Sequence, residues 1–407
     1  MAKRYELGVL DKYPMAVMGT SIEDSPTNGV ILDENVDGER LRDALDKTLE
    51  LFPLFKTKIV FDRGYFLEEN NNPVLIFNED DYHKAFTWKT GTNEYPWKLS
   101  CYQNRIILRW CHGVTDGRGA GKFLGTLLNI YYGVPCSVEP ALELGLEPFA
   151  DKTEKGIPQK KQPKGFGTTA LKLNRPNDCT QFHVLKCRTA DVLALAKRSD
   201  ASPATVIPPL FAMALRKCMK KKKNVKCSIV VDARGPLGHQ TMHNCIFTKE
   251  ITYVDRFDEL SFELVSTIYR AILNLACERE NVVVEATNSV NLIGTIVNSR
   301  CKALIRLGGR LCSWFMKSTT SDVTYSYLGK VDYGPEVNRH LLGHIGMSWT
   351  DFGYCNIISE DFNGEFTMMI NEAYQDKNVI PQFISTAGEL GLEITEVDSF
   401  PYCRADK

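Results

Sequence analysis

The stretch LRWCHGVTDGRGAGKFLG, residues 108–125, decides how this chain is interpreted. It begins with an apolar run, which predicts a buried strand ending at Cys111. His112 comes next, and Asp116 and Gly117 form a turn from which a helix with apolar residues at helical spacing begins. A histidine at the end of a buried strand can act as a general base, because imidazole exchanges protons near neutral pH.

Asp116 is predicted to be buried in this turn, where a carboxylate needs a cationic partner. The sequence offers Arg234 in the segment VVDARG, at the end of a second apolar run that predicts a buried strand. A guanidinium group can bind a carboxylate through two parallel hydrogen bonds. We therefore predict an Asp116–Arg234 ion pair that connects two distant parts of the chain and supports the turn carrying His112.

The composition indicates a globular protein with a large apolar core. The chain has 407 residues, of which 43% are hydrophobic, and its formal net charge is −1. This charge argues against nucleic acid as a partner and against attraction of the whole chain to an anionic membrane. No run approaches the roughly 18 apolar residues of a membrane span, and no signal peptide is recognisable. Thirteen cysteines without a Cys-x-x-Cys pair predict reduced thiols and a cytoplasmic location.

A polar segment rich in Pro, Gly and Lys divides the sequence into two halves. We predict an N-terminal lobe over residues 1–160, a linker or crossover over 161–178 and a C-terminal lobe over 179–407. Each half mixes strand and helix patterns, which predicts an α/β fold of the α+β sandwich type. Among the predicted helices, one begins after Asp37 as its N-cap, and the last follows Lys377.

The motif CHGVTDG resembles the H-x-x-x-D-G signature of the chloramphenicol-acetyltransferase-like superfamily. That superfamily includes BAHD acyltransferases, alcohol acyltransferases and nonribosomal peptide condensation domains. Further segments resemble the family in the same order along the chain, namely LFPLFKTKIV, VVDARG with HNC, SYLGKV and DFGYC. The resemblance implies two lobes with a tunnel between them. It also implies an acyltransferase that moves an acyl group from a thioester to a hydroxyl or amine acceptor.

The resemblance implies a role for each residue that matches a family motif. His112 would take a proton from the acceptor, and Asp116, Gly117 and Arg234 would support the site. Alternate residues of the TYSYLG strand are candidates for hydrogen bonds to the oxyanion, although such residues are also ordinary on a solvent-facing strand. These candidates are Thr324 and Ser326. Another segment would lie at the lobe interface or near the donor, and it contains Asp351, Phe352 and Gly353.

The sequence also departs from the family. Cys111 stands where condensation domains carry a second histidine, which favours free acyl-coenzyme A over a carrier-bound acyl donor. Tyr354 and Cys355 replace Trp and Gly in DFGYC, and Cys245 follows Asn244 in HNC. Two alternatives stay open: a stand-alone condensation-type enzyme that uses an acyl carrier protein, and a non-catalytic binding member of the fold. A monomer that binds a small-molecule acceptor is the simplest expectation.

Two histidine pairs have the i, i+4 spacing of metal ligands on a helix. They are His239 with His243, and His340 with His344. Neither pair contains the Glu of the H-E-x-x-H motif, and the first lies in a segment flanked by Gly and Pro. We therefore predict no metal site. Acyl-coenzyme A or an acyl-carrier thioester is the expected co-substrate, with no permanently bound cofactor.

Overall fold

The structure is a computed structural model that describes most of the chain. The described residues are 2–17, 26–80, 86, 91–138, 141–151, 165, 180–319, 321–348, 355–374 and 376–402. The predicted linker over 161–178 therefore lies outside the described residues, apart from Gly165.

The described residues form fifteen strands and eleven α-helices. The strands are β1 (Arg4–Tyr5), β2 (Thr27–Leu32), β3 (Thr57–Phe61), β4 (Tyr65–Glu69), β5 (Ile76–Asn78), β6 (Trp97–Tyr102), β7 (Arg105–Trp110), β8 (Thr180–Arg188), β9 (Val225–Asp232), β10 (Ile246–Tyr253), β11 (Val323–Lys330), β12 (Leu341–Met347), β13 (Cys355–Phe362), β14 (Glu365–Glu372) and β15 (Thr395–Tyr402). The helices are α1 (Val9–Val17), α2 (Gly38–Leu51), α3 (Gly117–Tyr131), α4 (Thr189–Arg198), α5 (Pro203–Cys218), α6 (Arg234–Leu237), α7 (Phe262–Ala276), α8 (Arg279–Val297), α9 (Lys302–Thr319), α10 (Pro335–Asn338) and α11 (Val379–Glu389).

The described strands form three sheets. A small sheet has the order β1-β4-β3, a five-stranded sheet has the order β12-β2-β7-β6-β5, and a seven-stranded sheet has the order β10-β9-β11-β13-β14-β8-β15. Helices lie between these strands along the chain in both halves. The predicted α+β class is therefore confirmed.

Local sequence signals account for the elements that carry the site. The Asp37 side chain accepts hydrogen bonds from the backbone N–H groups of Glu39 and Arg40, as expected for the N-cap of α2. Strands β6 and β7 form a hairpin around Gln103 and Asn104. This hairpin brings the end of β7 to the start of α3, which begins directly after the histidine turn.

Strand β12 crosses the boundary that the sequence suggests between the two lobes. It belongs to the second half of the chain, yet it pairs antiparallel with β2, with Gly343 opposite Ile31 and Met347 opposite Thr27. The five-stranded sheet of the N-terminal half is therefore completed by a strand from the other half. A boundary at residues 161–178 therefore does not separate the residues of the two sheets. The linker over these residues stays a prediction.

Three apolar clusters lie within the described residues, namely two large cores and a small cluster around Phe182, Ile345 and Met369. The first combines α2, α3 and the five-stranded sheet, and it contains the stacked rings of Phe55 and Phe123, whose centroids are 3.9 Å apart. Helices α8 and α9 belong to this core through residues such as Val290 and Ile305, although they come from the second half of the sequence. The second core lies between the seven-stranded sheet and α5, α7 and α11. No described helix is long and apolar enough to cross a membrane.

Candidate functional site

His112 lies in the turn between β7 and α3. Strand β7 ends at Trp110, one residue before the predicted end, and Cys111 follows it fully buried. The indole N–H of Trp110 donates to the side-chain oxygen of Asn28 over 2.9 Å. The Trp110 ring meets the His112 ring edge to face, with centroids 4.7 Å apart. Trp110, itself fixed by Asn28, therefore restricts the orientation of the imidazole.

Asp116 is the N-cap of α3, and both of its carboxylate oxygens accept hydrogen bonds. Oδ1 accepts the backbone N–H groups of Arg118 and Gly119, both over 3.1 Å. Oδ2 accepts the backbone N–H of Cys245 over 3.1 Å. The Arg234 guanidinium approaches the same carboxylate with Nη2 3.0 Å from Oδ1 and Nη1 2.9 Å from Oδ2. The structure thus brings the two predicted partners together in a bidentate ion pair.

Arg234 also fixes the segment that follows it. Its Nε donates to the carbonyl oxygen of Thr241 over 3.1 Å, and its Nη2 donates to that of His243 over 2.9 Å. Its Nη1 lies 3.0 Å from a carboxylate oxygen of Asp232. Burial alone would lower the pKa of Arg234, but the Asp116 carboxylate outweighs it and raises the pKa above its ordinary value. The guanidinium is therefore a permanent cation at the junction of the two halves.

A second buried carboxylate, Asp11 of α1, is not found by sequence reasoning. Asp11 Oδ2 is 2.7 Å from Nδ1 of His243 and accepts the backbone N–H of Gly8 over 2.8 Å. Its Oδ1 accepts the side-chain N–H of Asn244 over 2.6 Å. The same Asn244 amide donates to the backbone carbonyl oxygen of His112 over 2.5 Å. This cluster of Asp11, His243 and Asn244 therefore contacts the backbone of the histidine turn directly.

The pKa shifts of this cluster favour a charged pair. Burial alone would raise the pKa of Asp11, but His243 and Asn244 outweigh it and the pKa is lowered. Burial alone would lower the pKa of His243, but the Asp11 carboxylate outweighs it and the pKa is raised. Because His243 binds Asp11 and His239 lies 2.9 Å from the carbonyl oxygen of Leu144, each histidine of this pair has a protein partner. No metal-binding group of three or more His, Cys, Asp or Glu occurs in the part of the chain that the structure describes.

A cavity of about 590 Å³ lies between the two halves of the molecule, and His112 lines it together with Asp116 and Gly117. Thr324 and Ser326 of β11 line the same cavity. Alternate residues of a strand point to the same face of a sheet, which explains why both reach the cavity. The structure therefore brings both oxyanion candidates to the cavity that contains His112.

A row of polar side chains crosses three strands of the seven-stranded sheet at this cavity. Thr324 of β11 pairs with Ser228 of β9 on one side and with Asn356 of β13 on the other. All three residues line the cavity. Sequence reasoning misses Ser228 and Asn356, because the row is created by the pairing of strands that are far apart in the chain.

A second cavity, of about 380 Å³, adjoins the first at the N-terminus of α3. The two cavities share Gly117, Arg118 and Leu328 among their lining residues. The second one is also lined by Lys122 and Lys330. Together with Arg118, these lysines give this end of the space between the lobes a positive character. Asp332 lies near Lys330, and Asp232 lies near Arg118.

The predicted lobe-interface segment falls mostly outside the described residues. Asp351, Phe352, Gly353 and Tyr354 are not described, so the structure does not test their predicted position. Cys355, the last residue of DFGYC, is fully buried at the start of β13.

Comparisons with known proteins rest on structure alone, since no family profile and no curated protein matches the sequence. Polyketide synthase associated protein 5 from Mycobacterium tuberculosis superposes with a TM-score of 0.64 at 11% identity, over 95% of this chain and 98% of that one. The TRI101 protein of F. sporotrichioides, solved with coenzyme A and T-2, superposes with a TM-score of 0.63 at 11% identity, over 97% of this chain and 100% of that one. The chain has the chloramphenicol-acetyltransferase-like fold.

A condensation domain of this fold, from the polyketide synthase MokA, superposes with a TM-score of 0.61 at 11% identity. The superposition covers 95% of this chain and 96% of the condensation domain. The likeness therefore extends over nearly the whole length of each protein. It confirms the predicted two-lobed chloramphenicol-acetyltransferase-like architecture, while the chemistry of this chain has to be argued from its own residues.

Proposed function

We propose that the protein is an acyltransferase that moves an acyl group from a thioester, acyl-coenzyme A, to a hydroxyl or amine acceptor. One observation carries the proposal: His112 lines a cavity of about 590 Å³ between the lobes. The turn that carries it is held by the Asp116–Arg234 ion pair and by Asn244. A general base on a rigid turn at such a cavity suits proton removal from an acceptor.

The reaction needs one base and no covalent acyl-enzyme. The acceptor oxygen or nitrogen attacks the thioester carbonyl carbon while His112 takes the proton of the acceptor. The carbonyl electron pair moves to oxygen, which forms a tetrahedral oxyanion. When the oxyanion collapses, the carbon–sulfur bond breaks and the leaving thiolate receives the proton from the imidazolium. The products are an ester or amide and the free thiol, and the base is regenerated.

The hydroxyl groups of Thr324 and Ser326 are the proposed donors to the oxyanion, because both line the cavity that contains His112. Loss of one oxyanion donor typically costs on the order of 3 kcal/mol of transition-state stabilisation. Asp116 has a different role. Its contacts are with backbone N–H groups and with Arg234, so it positions the turn and takes no part in proton transfer.

The cations at the adjoining cavity support a donor that carries phosphate. Arg118, Lys122 and Lys330 line this cavity next to Gly117, and such side chains favour the binding of phosphate groups. Acyl-coenzyme A has phosphates at one end and the reactive thioester at the other. We therefore propose that the donor enters through this cavity and reaches His112 with its thioester.

The test measures the release of free coenzyme A by mass spectrometry from acyl-coenzyme A donors of several chain lengths. Pooled alcohols and amines serve as acceptors, and an acyl thioester on a carrier protein is run in parallel. We expect coenzyme A release by the wild type and a loss of about 100-fold to 10,000-fold in kcat for His112→Ala.

His340→Ala is the matched control, because His340 stacks on Tyr132 with ring centroids 4.5 Å apart and lines neither cavity. Its turnover should equal that of the wild type. Turnover with the carrier-bound donor alone would replace coenzyme A by a carrier protein as the donor. Absence of turnover with every donor, or full activity of His112→Ala, would contradict the proposed mechanism.

A further inference from the structure

Helix α9 presents a row of leucines to the outside of the molecule. Leu304, Leu307 and Leu311 are 59%, 52% and 60% exposed. Their spacing of three and four residues places them on one face of the helix. Leu292 of the neighbouring helix α8 is 71% exposed as well. We call these four leucines the α8–α9 leucine face.

The exposure of this face does not result from loose packing of α9. Ile305 is fully buried in the first core. At Gly309, a Cβ atom would lie 2.1 Å from the backbone oxygen of Ala16, so only glycine allows α9 to pack this closely against α1. Gly308 would place a Cβ 3.1 Å from the side chain of Ile296 on α8. The helix is therefore fixed from its other side, and the leucines remain outside a well-packed hairpin.

The same region carries a one-sided charge, although the whole chain has a net charge of only −1. Residues 286–321 contain five basic residues and no Asp or Glu. Of these, Lys302, Arg306 and Arg310 belong to α9 and are exposed. Within this segment, the exposed leucines are thus accompanied only by positive charges.

We propose that the α8–α9 leucine face docks the protein on the surface of an anionic lipid bilayer. An exposed apolar helix face accompanied by Lys and Arg binds membrane interfaces, since the leucines enter the headgroup region and the cations bind anionic lipids. A second copy of the chain is disfavoured as the occupant. In a symmetric dimer built on this face, Arg306 and Arg310 would approach the same cations of the other copy.

Helix α8 belongs both to the leucine face, through Leu292, and to the wall of the cavity that contains His112. Helix α8 contributes Ser289 and Ile293 to the cavity wall, and helix α1 adds Leu10 and Tyr13 beside them. If the proposed acyl transfer is correct, the docked face and the cavity that contains His112 share helix α8. The docking proposal itself does not depend on that activity.

The experiment is sedimentation of the full chain with phosphatidylcholine vesicles and with vesicles that also contain phosphatidylglycerol. We expect binding to the anionic vesicles only, and release at high salt. The triple variant Leu304→Gln/Leu307→Gln/Leu311→Gln should bind about a hundredfold more weakly, because three apolar side chains no longer enter the lipid. The double variant Arg306→Gln/Arg310→Gln should bind about tenfold to thirtyfold more weakly.

Leu193→Gln is the matched control, because Leu193 is 50% exposed on α4 and lies outside this region. It should bind vesicles as the wild type does. The proposal is overturned if the wild type binds neither vesicle, or if the triple variant binds as well as the control. A wild-type dimer in analytical ultracentrifugation that the triple variant lacks, without vesicle binding, would assign the face to a second copy instead. Sedimentation does not measure acyl transfer, so failure here leaves the proposed activity to its own test.

Discussion

Two buried carboxylates, Asp116 and Asp11, support the same histidine turn, but their cationic partners differ. Asp116 pairs with Arg234, and Asp11 pairs with His243. In each case the cation comes from the second half of the chain, within the short segment from Arg234 to Asn244. Both pairs therefore connect the lobes beside His112.

The difference lies in how each pair responds to protons. An arginine stays charged at every pH at which the protein is folded, so the Asp116–Arg234 pair is constant. The pKa of His243 is raised by Asp11, yet this imidazole can still lose its proton as the pH rises. One connection between the lobes is thus permanent, and the other depends on pH. Three substitutions test this comparison.

The largest effect is expected for Arg234→Ala. The Asp116 side chain is 2% exposed, so the substitution leaves a buried carboxylate without its cation and should lower the free energy of unfolding by about 3–5 kcal/mol. Turnover should fall with stability, because the turn that carries His112 loses its support. Urea denaturation and the coenzyme A release assay measure the two effects.

Arg339→Ala is the control for this substitution, since Arg339 pairs with Glu336 and both side chains are largely exposed. Its unfolding midpoint should equal that of the wild type. An Arg234→Ala protein with unchanged stability and unchanged turnover would show that the ion pair does not support the turn.

A smaller effect is expected for Asn244→Ala. The Asn244 amide donates to Asp11 and to the backbone carbonyl of His112, and both acceptors lose a donor. We expect a loss of about 1–3 kcal/mol in the free energy of unfolding. Because the backbone of His112 loses a contact, kcat should fall more than KM rises.

The half-buried residue Asn281 offers a control for this effect, since its amide donates to Leu275 and Glu278 at the surface. Asn281→Ala should change neither kcat nor KM. If Asn244→Ala lowered stability but left kcat unchanged, Asn244 would have a purely structural role.

The smallest effect is expected for His243→Gln, which should remove a dependence of the free energy of unfolding on pH. The raised pKa of His243 contributes stability that is fully present below its unfolded value of 6.5 and is lost as the pH rises through the folded pKa. The lowered pKa of Asp11 contributes stability above its unfolded value of 3.8, which is lost as the pH falls through the folded pKa. Between pH 3.8 and pH 6.5, both groups are therefore charged and the ion pair contributes its full stability.

Urea denaturation at pH about 5.5 and about 9 should show the advantage of the wild type over His243→Gln shrinking at the higher pH. Each unit by which the pKa of His243 is raised corresponds to about 1.4 kcal/mol. An equal advantage at both pH values would mean that His243 is not charged in the folded protein. The effect of Arg234→Ala should be the same at both.

Local patterns in the sequence predict much of the fold and part of the site. The N-cap of α2 at Asp37, the β6–β7 hairpin and the helix after Gly117 follow from short-range spacing. The Asp116–Arg234 contact was also predictable, because a buried carboxylate needs a cation and Arg234 ends an apolar run.

The remaining features depend on contacts between distant residues. Asp11 and His243 are 232 residues apart in the chain, and no spacing rule relates them. Strand β15 was missed because seven of its eight residues are exposed or partly exposed, so it has no apolar alternation, although it pairs with β8 along its length. Such an edge strand is specified by its neighbour rather than by its own pattern.

The pairing of β12 with β2 has a consequence for synthesis on the ribosome. The two strands are about 300 residues apart in the chain, and at roughly 5–20 residues per second their translation is separated by roughly 15–60 s. During this interval the nascent N-terminal half carries an unpaired edge at β2, next to the strand that leads to His112. The sheet that carries the histidine turn is therefore completed late, after the chain has emerged beyond Met347. An unpaired edge of this kind is a site at which chaperones and aggregation compete for the growing protein.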